Sequence, residues 1–265
     1  YATTDLATAR FRIDPLGADR IIYVTDARQS QHFQMLFTVL RAAGWAGEQV
    51  RLDHVAFGTV LGPDRKPFKT RSGETVRLDD LLEEAERRAQ AILDEKGSDL
   101  AAPERERVAH AIGIGALKYA DLASDRVKDY VFDWNRMLAF EGNTAPYLQN
   151  AVVRIRSIFR KGSVDPSSTD PATIRIEQPA ERQLALGLLE IGPTAQQVAD
   201  SLEPHRLCTW LYELAAAYHQ FYEHCPVLKA PDEATRASRL ALCALTARTL
   251  ERGLGLLGIE AVERM

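Results

Sequence analysis

The sequence has few cysteines, no basic excess and no long apolar run, and each absence removes a class of protein. Only Cys208, Cys225 and Cys243 are present, an odd number without a C-x-x-C pair, so a disulfide framework is not expected and reduced, buried thiols are. No apolar segment approaches the roughly 18–20 residues needed to cross a bilayer, which excludes a helical membrane span. The 16 Gly and 12 Pro show no three-residue period, which excludes collagen. Lys and Arg number 33 against 37 Asp and Glu, a net charge of −4, so the chain is not a generally basic nucleic-acid binder. What is there is 46% hydrophobic residues in 265, enough apolar surface to rule out disorder and to fill about two domains, with one large domain also compatible. The sequence starts at Tyr1 without a methionine or leader, so a fragment is expected, and no internal repeat occurs.

Along the chain, 20–27 is a β-branched run ending in Asp26 that reads as a buried parallel strand. Phe33, Leu36, Phe37 and Leu40 then recur at helical spacing up to Gly44, and 52–61 reads as a second strand, giving a βαβ unit. Residues 78–96 form an amphipathic helix, 97–104 a connector, and 111–122 is apolar but ambiguous between strand and helix. From about residue 144 only helices are predicted, over 144–161, 178–191, 194–202, 206–224 and 233–252. The fold class is α/β followed by all-α, with domains of 1–140 and 141–265.

Two apparent motifs carry bland readings. Gly253-Leu-Gly255-Leu-Leu-Gly258 spells G-x-G-x-x-G, but it ends a helical segment instead of linking a strand to a helix, so it reads as a helix end with close packing. His205, Cys208, His219, His224 and Cys225 match no common zinc spacing, and no metal site is predicted.

Three other groups of residues suit chemistry. Arg65, Lys66, Lys69 and Arg71 against Asp64 give the loop after the second strand a local charge of +3, able to close on a polyphosphate; a solvated basic loop is the plainer reading. Tyr1 and Asp5, at i,i+4, would share a helical face, and with Asp26, Gln29 and His32 they offer a phenol, carboxylates and an amide suited to guanidinium, although helix-cap and strand-end roles also fit. Arg154, Arg156, Arg160 and Lys161, with Tyr147 and Phe159, could contact RNA phosphates and unstacked bases, or simply complement acidic neighbours. Residues 141–161 hold four cations against one acid, whereas 162–265 hold nine against fourteen, so positive charge is concentrated at that helix.

The blocks Tyr-Ala-Thr-Thr-Asp-Leu-Ala (1–7), Asp-Ala-Arg-Gln (26–29) with His32-Phe33, His-Val-Ala-Phe-Gly (54–58), Lys-Pro-Phe-Lys-Thr-Arg-Ser-Gly (66–73), Asp-Tyr-Val-Phe-Asp-Trp (129–134) and Glu-Gly-Asn-Thr-Ala-Pro-Tyr-Leu-Gln (141–149) occur in an order that resembles the C-terminal half of arginyl-tRNA synthetases, class I aminoacyl-tRNA synthetases. The resemblance implies the second half of a class I Rossmann catalytic domain with connecting helices over 1–140. A helical-bundle anticodon-binding domain of the DALR type would follow over 141–265. It implies that Tyr1, Asp5 and Gln29 bind arginine and that His54, Phe57, Gly58 and Lys69 contact ATP. Lys66, Lys69 and Arg71 would form the KMSKS-like catalytic loop, and Tyr147, Asn150, Arg154 and Met265 would bind tRNA. The implied substrates are L-arginine, its tRNA and ATP with Mg2+, the implied location is the cytoplasm, and the implied state is a monomer. Thr70 stands where the family motif has its second lysine, and Asn150 stands where family members usually carry tyrosine, which puts one aromatic tRNA contact in doubt. The half of the catalytic fold bearing the HIGH motif has no counterpart in the sequence, so the chain alone is expected to be inactive. A synthetase-like tRNA-binding module without ligase activity is the alternative.

Overall fold

The computed structural model describes all residues except Pro63, residues 67–76, Lys96 and Ser98. The described residues fall into two compact units, one drawn from 1–68 and 126–132, the other from 69–125 and 133–265.

In the first unit, helix α1 (Ala2–Ile13) precedes strand β1 (Arg20–Asp26), a 3-10 turn (Ala27–Gln29), helix α2 (Ser30–Ala42) and strand β2 (Arg51–Phe57). β1 and β2 pair in parallel from Arg20 opposite Arg51 to Asp26 opposite Phe57, so the expected βαβ unit is present. Phe33, Leu36 and Leu40 form the buried stripe of α2 and pack with Ala9, Ala46 and Val50 into a small core. The predicted second strand, 52–61, breaks at Gly58 into β2 and a two-residue β3 (Val60–Leu61), and β3 pairs in parallel with β4 (Tyr130–Val131), a strand without a sequence signal. β1 also departs from the buried-strand expectation, because the Ile22 and Val24 side chains alternate outward and are 42% and 63% exposed.

In the second unit, α3 (Leu78–Glu95) packs along α4 (Ala102–Leu122), which resolves the ambiguous 111–122 stretch as helix. α4 gave no clear period because it buries residues around much of its circumference, Val108, Ala109, Ala111, Ile112, Gly113, Gly115, Ala116 and Tyr119. A short α5 (Trp134–Met137) leads to α6 (Ala145–Gly162), then α7 (Pro179–Leu189), α8 (Ile191–Ser201), α9 (Pro204–His224) and α10 (Glu233–Leu256). α6 is started by Thr144, whose hydroxyl accepts from Tyr147 N, and is stopped by Ser163 at φ 49°. The core joins Leu148, Ile155 and Phe159 of α6 to Leu211, Leu214 and Tyr218 of α9 and to Leu250 and Leu254 of α10. Gly253 belongs to this packing, since a Cβ there would lie 2.5 Å from the Leu211 side chain. Gly258 takes φ +68° just past the helix end.

One buried ion pair ties the bundle together. Glu181 Oε2 accepts from the N–H groups of Glu177 (2.8 Å) and Gln178 (3.0 Å), capping α7, while Oε1 accepts from Arg239 Nε of α10 at 2.8 Å. The two side chains are only 2% and 7% exposed, and Arg239 Nη1 also donates to Pro226 O at 2.9 Å. Cys208, Cys225 and Cys243 are all buried thiols, and burial pushes Cys208 up to about 12. Among the described residues no helix is long and apolar enough to cross a membrane, and no three His, Cys, Asp or Glu side chains converge as a metal site would require.

Candidate amino-acid, nucleotide and RNA sites

Tyr1 and Asp5 open α1, and Gln29 closes the turn that follows β1. These three, separated by up to 28 positions in sequence, line one open cavity of about 630 Å³, together with Arg12, Tyr23 and His32. Among the described residues that line it, Asp5 is the only carboxylate. Asp26, grouped with them on sequence grounds, is turned elsewhere. Its carboxylate accepts from Arg28 N (2.8 Å), Nε (2.9 Å) and Nη2 (2.8 Å). The Arg28 side chain, then its backbone N–H, hold Asp26 at about 2. A residue two positions on has captured the carboxylate, as is common for Asx at a turn.

His54 lies on β2 opposite Tyr23, its Nε2 2.7 Å from Thr25 Oγ1 and its ring stacked on Phe33 at 4.7 Å and 22°. Burial, and then the charge of Arg126, lower its pKa below the ordinary histidine value. Phe57 ends β2 with its ring 43% exposed, open to a flat partner. Gly58 acts through the backbone. Its N–H donates to Arg126 O at 2.7 Å, and a Cβ there would sit 2.8 Å from the carbonyl carbon and oxygen of Lys128. Thr59 N continues the junction by donating to Asp129 Oδ1 at 2.6 Å.

The basic loop begins in a tight turn in which Lys66 N donates to Asp64 Oδ1 at 3.1 Å and Lys66 O accepts from Gly62 N at 2.8 Å, leaving the Lys66 side chain exposed. Lys69 and Arg71 lie outside the described residues.

Tyr147, Asn150 and Arg154 fall at i, i+3 and i+7 on α6, one helical face. Asn150, Arg154 and Met265 line a cavity of about 690 Å³ with Tyr222 of α9, and among the described lining side chains Arg160, Lys161, Lys229 and Arg264 outnumber Asp99. Arg154 Nη1 donates to His219 Nδ1 at 3.1 Å while its guanidinium lies 5.2 Å over the Tyr222 ring. Guanidinium can only donate, so His219 carries its proton on Nε2. Burial, then Arg154, lower His219 to about 4. Tyr147 joins the group through His219, ring centroids 4.9 Å apart, and through Tyr212 at 5.5 Å.

The four-cation cluster on α6 therefore divides. Arg156 turns away to pair with Glu251 and Glu263, each at 3.0 Å, which is the acidic-neighbour alternative for this residue. Sequence reasoning missed Tyr222 and used His219 only in a rejected metal set. Their signal was the i, i+7, i+10 spacing of Tyr212, His219 and Tyr222 along α9, which aligns them on one face.

The segment after α10 has no regular structure, yet side chains of α4 and α6 hold its backbone. Lys118 Nζ donates to Gly258 O (2.5 Å), Gln149 Nε2 to Glu260 O (2.8 Å) and Arg160 Nη1 to Glu263 O (3.1 Å). This seating brings Met265 to the cavity wall.

Residues 1–134 match the family model described as the catalytic domain of class I (R) tRNA synthetases, and residues 148–265 match the DALR anticodon binding domain. Over its whole length the chain is 55% identical to an arginine–tRNA ligase of Laribacter hongkongensis and 57% identical to one of Frankia casuarinae. It spans 46% and 45% of those relatives, a little under half of each. The fold is similar to the arginyl-tRNA synthetase of Plasmodium falciparum, with a TM-score of 0.86 and 28% identity over 100% of this chain and 44% of that one. It is also similar to that of Thermus thermophilus, with a TM-score of 0.82 and 35% identity over 94% of this chain and 41% of that one.

Proposed function

The chain belongs to the class I arginyl-tRNA synthetase family, and on that premise we propose that it serves an arginine–tRNA ligase that joins L-arginine to its tRNA through an arginyl-adenylate. The observation that carries the reading is the convergence of Tyr1, Asp5 and Gln29 on one cavity where, among the described residues, Asp5 is the sole carboxylate. A carboxylate accepts two parallel hydrogen bonds from guanidinium, and the phenol and amide supply further polar contacts at its rim. His54 in the middle of β2, and Phe57 and Gly58 at its end, stand where the adenosine of ATP, taken as its Mg2+ complex, would lie. The arginine carboxylate attacks the α-phosphorus and pyrophosphate departs. Lys66, Lys69 and Arg71 would stabilise the charge that accumulates on the leaving group. Alignment and electrostatics suffice for this step, with no protein nucleophile. The cationic cavity with Asn150, Arg154, Tyr222 and Met265 suits an unstacked anticodon base and its phosphates, with Tyr147 supporting Arg154 through His219. We assign catalysis and its connecting helices to 1–140, anticodon binding to 141–265, and the working enzyme to a cytoplasmic monomer.

The test is tRNA arginylation by an enzyme of the relatives' full length carrying this sequence with Asp5→Ala. Loss of a charge-assisted pair predicts a fall in kcat/KM for arginine of about a hundredfold, with tRNA binding retained. Arginylation at the unsubstituted rate would overturn the assignment.

A further inference from the structure

Asp5 has a neighbour for which guanidinium recognition as set out above has no use. His32, on the first turn of α2, places Nε2 2.8 Å from Asp5 Oδ2. An ionised carboxylate only accepts, so Nε2 bears the hydrogen and donates it. Asp5 sits on the first turn of α1 with its side chain 37% exposed, and no other hydrogen bond from its carboxylate to a described residue is seen. Left alone, such a carboxylate samples several rotamers and meets a ligand in few of them. The histidine is itself held. Its edge meets the Phe33 ring at 5.2 Å and 76°, and Phe33 is a core residue, 5% exposed, fixed in turn against the His54 ring at 4.7 Å and the Tyr23 ring at 4.8 Å. Rigidity thus passes from the α2 core, through Phe33 and His32, to the Asp5 carboxylate. His32 occupies one lone-pair site on Oδ2, and a carboxylate has about four, so enough remain for a bidentate guanidinium.

We propose that His32 is a positioning residue that locks the Asp5 carboxylate in the rotamer that receives guanidinium, and so sets the preference of the pocket for a cationic over a neutral side chain of the same shape. The proposal rests on the arginine reading of this cavity. It assigns His32 no contact with the substrate and no part in the chemical step.

The experiment compares His32→Ala, His32→Gln and Asp5→Asn in the full-length enzyme carrying this sequence. KM and kcat for arginine are measured together with the inhibition constant of L-citrulline, whose ureido group is the neutral isostere of guanidinium. His32→Ala should lower the arginine-over-citrulline preference about tenfold, the weight of one hydrogen bond to a charged group, with the loss in KM more than in kcat. His32→Gln, whose amide nitrogen reaches where Nε2 stands, should recover most of it. An unchanged preference in His32→Ala overturns the proposal, as does an equal fall in His32→Gln, because the lost property would then be ring shape and not the donor. Asp5→Asn separates the two levels. If it collapses the preference while His32→Ala does not, only the positioning role fails; if neither changes it, the arginine reading of the pocket fails first.

Discussion

Replacing Glu181 by alanine should cost the helical unit about 3–5 kcal/mol, although the residue lies outside the cavities lined by Asp5 and Arg154. The size follows from what the carboxylate does. It accepts two backbone N–H bonds that cap α7 and one guanidinium bond from α10, at 2.8–3.0 Å, with both charged partners nearly sealed from water. Burial works against its ionised form, but the N–H of Glu177 and the Arg239 guanidinium overcome this, and the carboxyl is held below the usual range. Truncation leaves the Arg239 charge buried with Pro226 O as its remaining hydrogen-bond acceptor among the described residues. Removing both charges, as in Glu181→Ala with Arg239→Met, should cost less than the two single changes together, with a coupling of about 2 kcal/mol or more. Trp210 is the natural reporter, because its indole donates to Gly187 O of α7 at 3.1 Å. Urea unfolding followed by Trp210 fluorescence, with Trp45 and Trp134 replaced by Phe, measures each corner of the cycle. Pro226 lines the cavity of Arg154 and Met265 that is proposed to take the anticodon, so affinity for an anticodon stem-loop should fall as well. A single-variant cost below about 1 kcal/mol, or strict additivity in the cycle, would refute the reasoning.

Further outcomes concern the other sites. His219 at about 4 stays neutral in the native state while the unfolded chain protonates near its ordinary 6.5, so its contribution is complete above pH 6.5 and is lost as pH falls toward 4. The urea midpoint should drop by the equivalent of about 1–3 kcal/mol over that window, and His219→Gln should flatten the profile. Gly58→Ala should disrupt the junction with residues 126–129 and raise KM for ATP, detectable by faster amide exchange at Gly58 and Thr59; a variant with wild-type protection would exclude the steric argument. Arg154→Gln should weaken anticodon stem-loop binding about tenfold, whereas Arg156→Gln, whose partners are Glu251 and Glu263, should leave affinity nearly unchanged in a filter-binding assay.

The sequence was most readable where one physical signal stood alone. The helices of the second unit followed from their period, and 206–224 and 233–252 differ from α9 and α10 by a few residues at the ends. α4 was unreadable for the opposite reason, since a helix buried on several sides has no polar face to mark its period. Hydropathy ran smoothly through 52–61, and the break in that strand comes from the close approach of the 126–129 backbone to Gly58, a long-range cause. In the sites, local captures defeated composition. Asp26 was taken by Arg28 two residues later and Arg156 by acids about 100 positions away, while Tyr222 entered the α6 site from α9. The sequence grouped Asp5 with His32 and Gln29, but only the fold shows that His32 bonds the Asp5 carboxylate while Asp26 does not join them.

Consider finally the unstructured segment that carries Met265. Its anchors are carbonyl oxygens of residues 258, 260 and 263, gripped by Lys118, Gln149 and Arg160. A carbonyl is the same in every residue, so these three bonds measure distance along the chain, while the buried side chains of Ile259 and Val262 and the Glu263–Arg156 pair fix which residue stands where. Exchanging Glu260, whose pair with Arg107 is solvent-exposed, should leave Met265 in register. Inserting a single residue after Gly258 should displace it by about 3.3–3.6 Å and take it off the cavity wall. The segment works as a ruler, and what must be preserved in it is its length together with the two apolar marks at Ile259 and Val262.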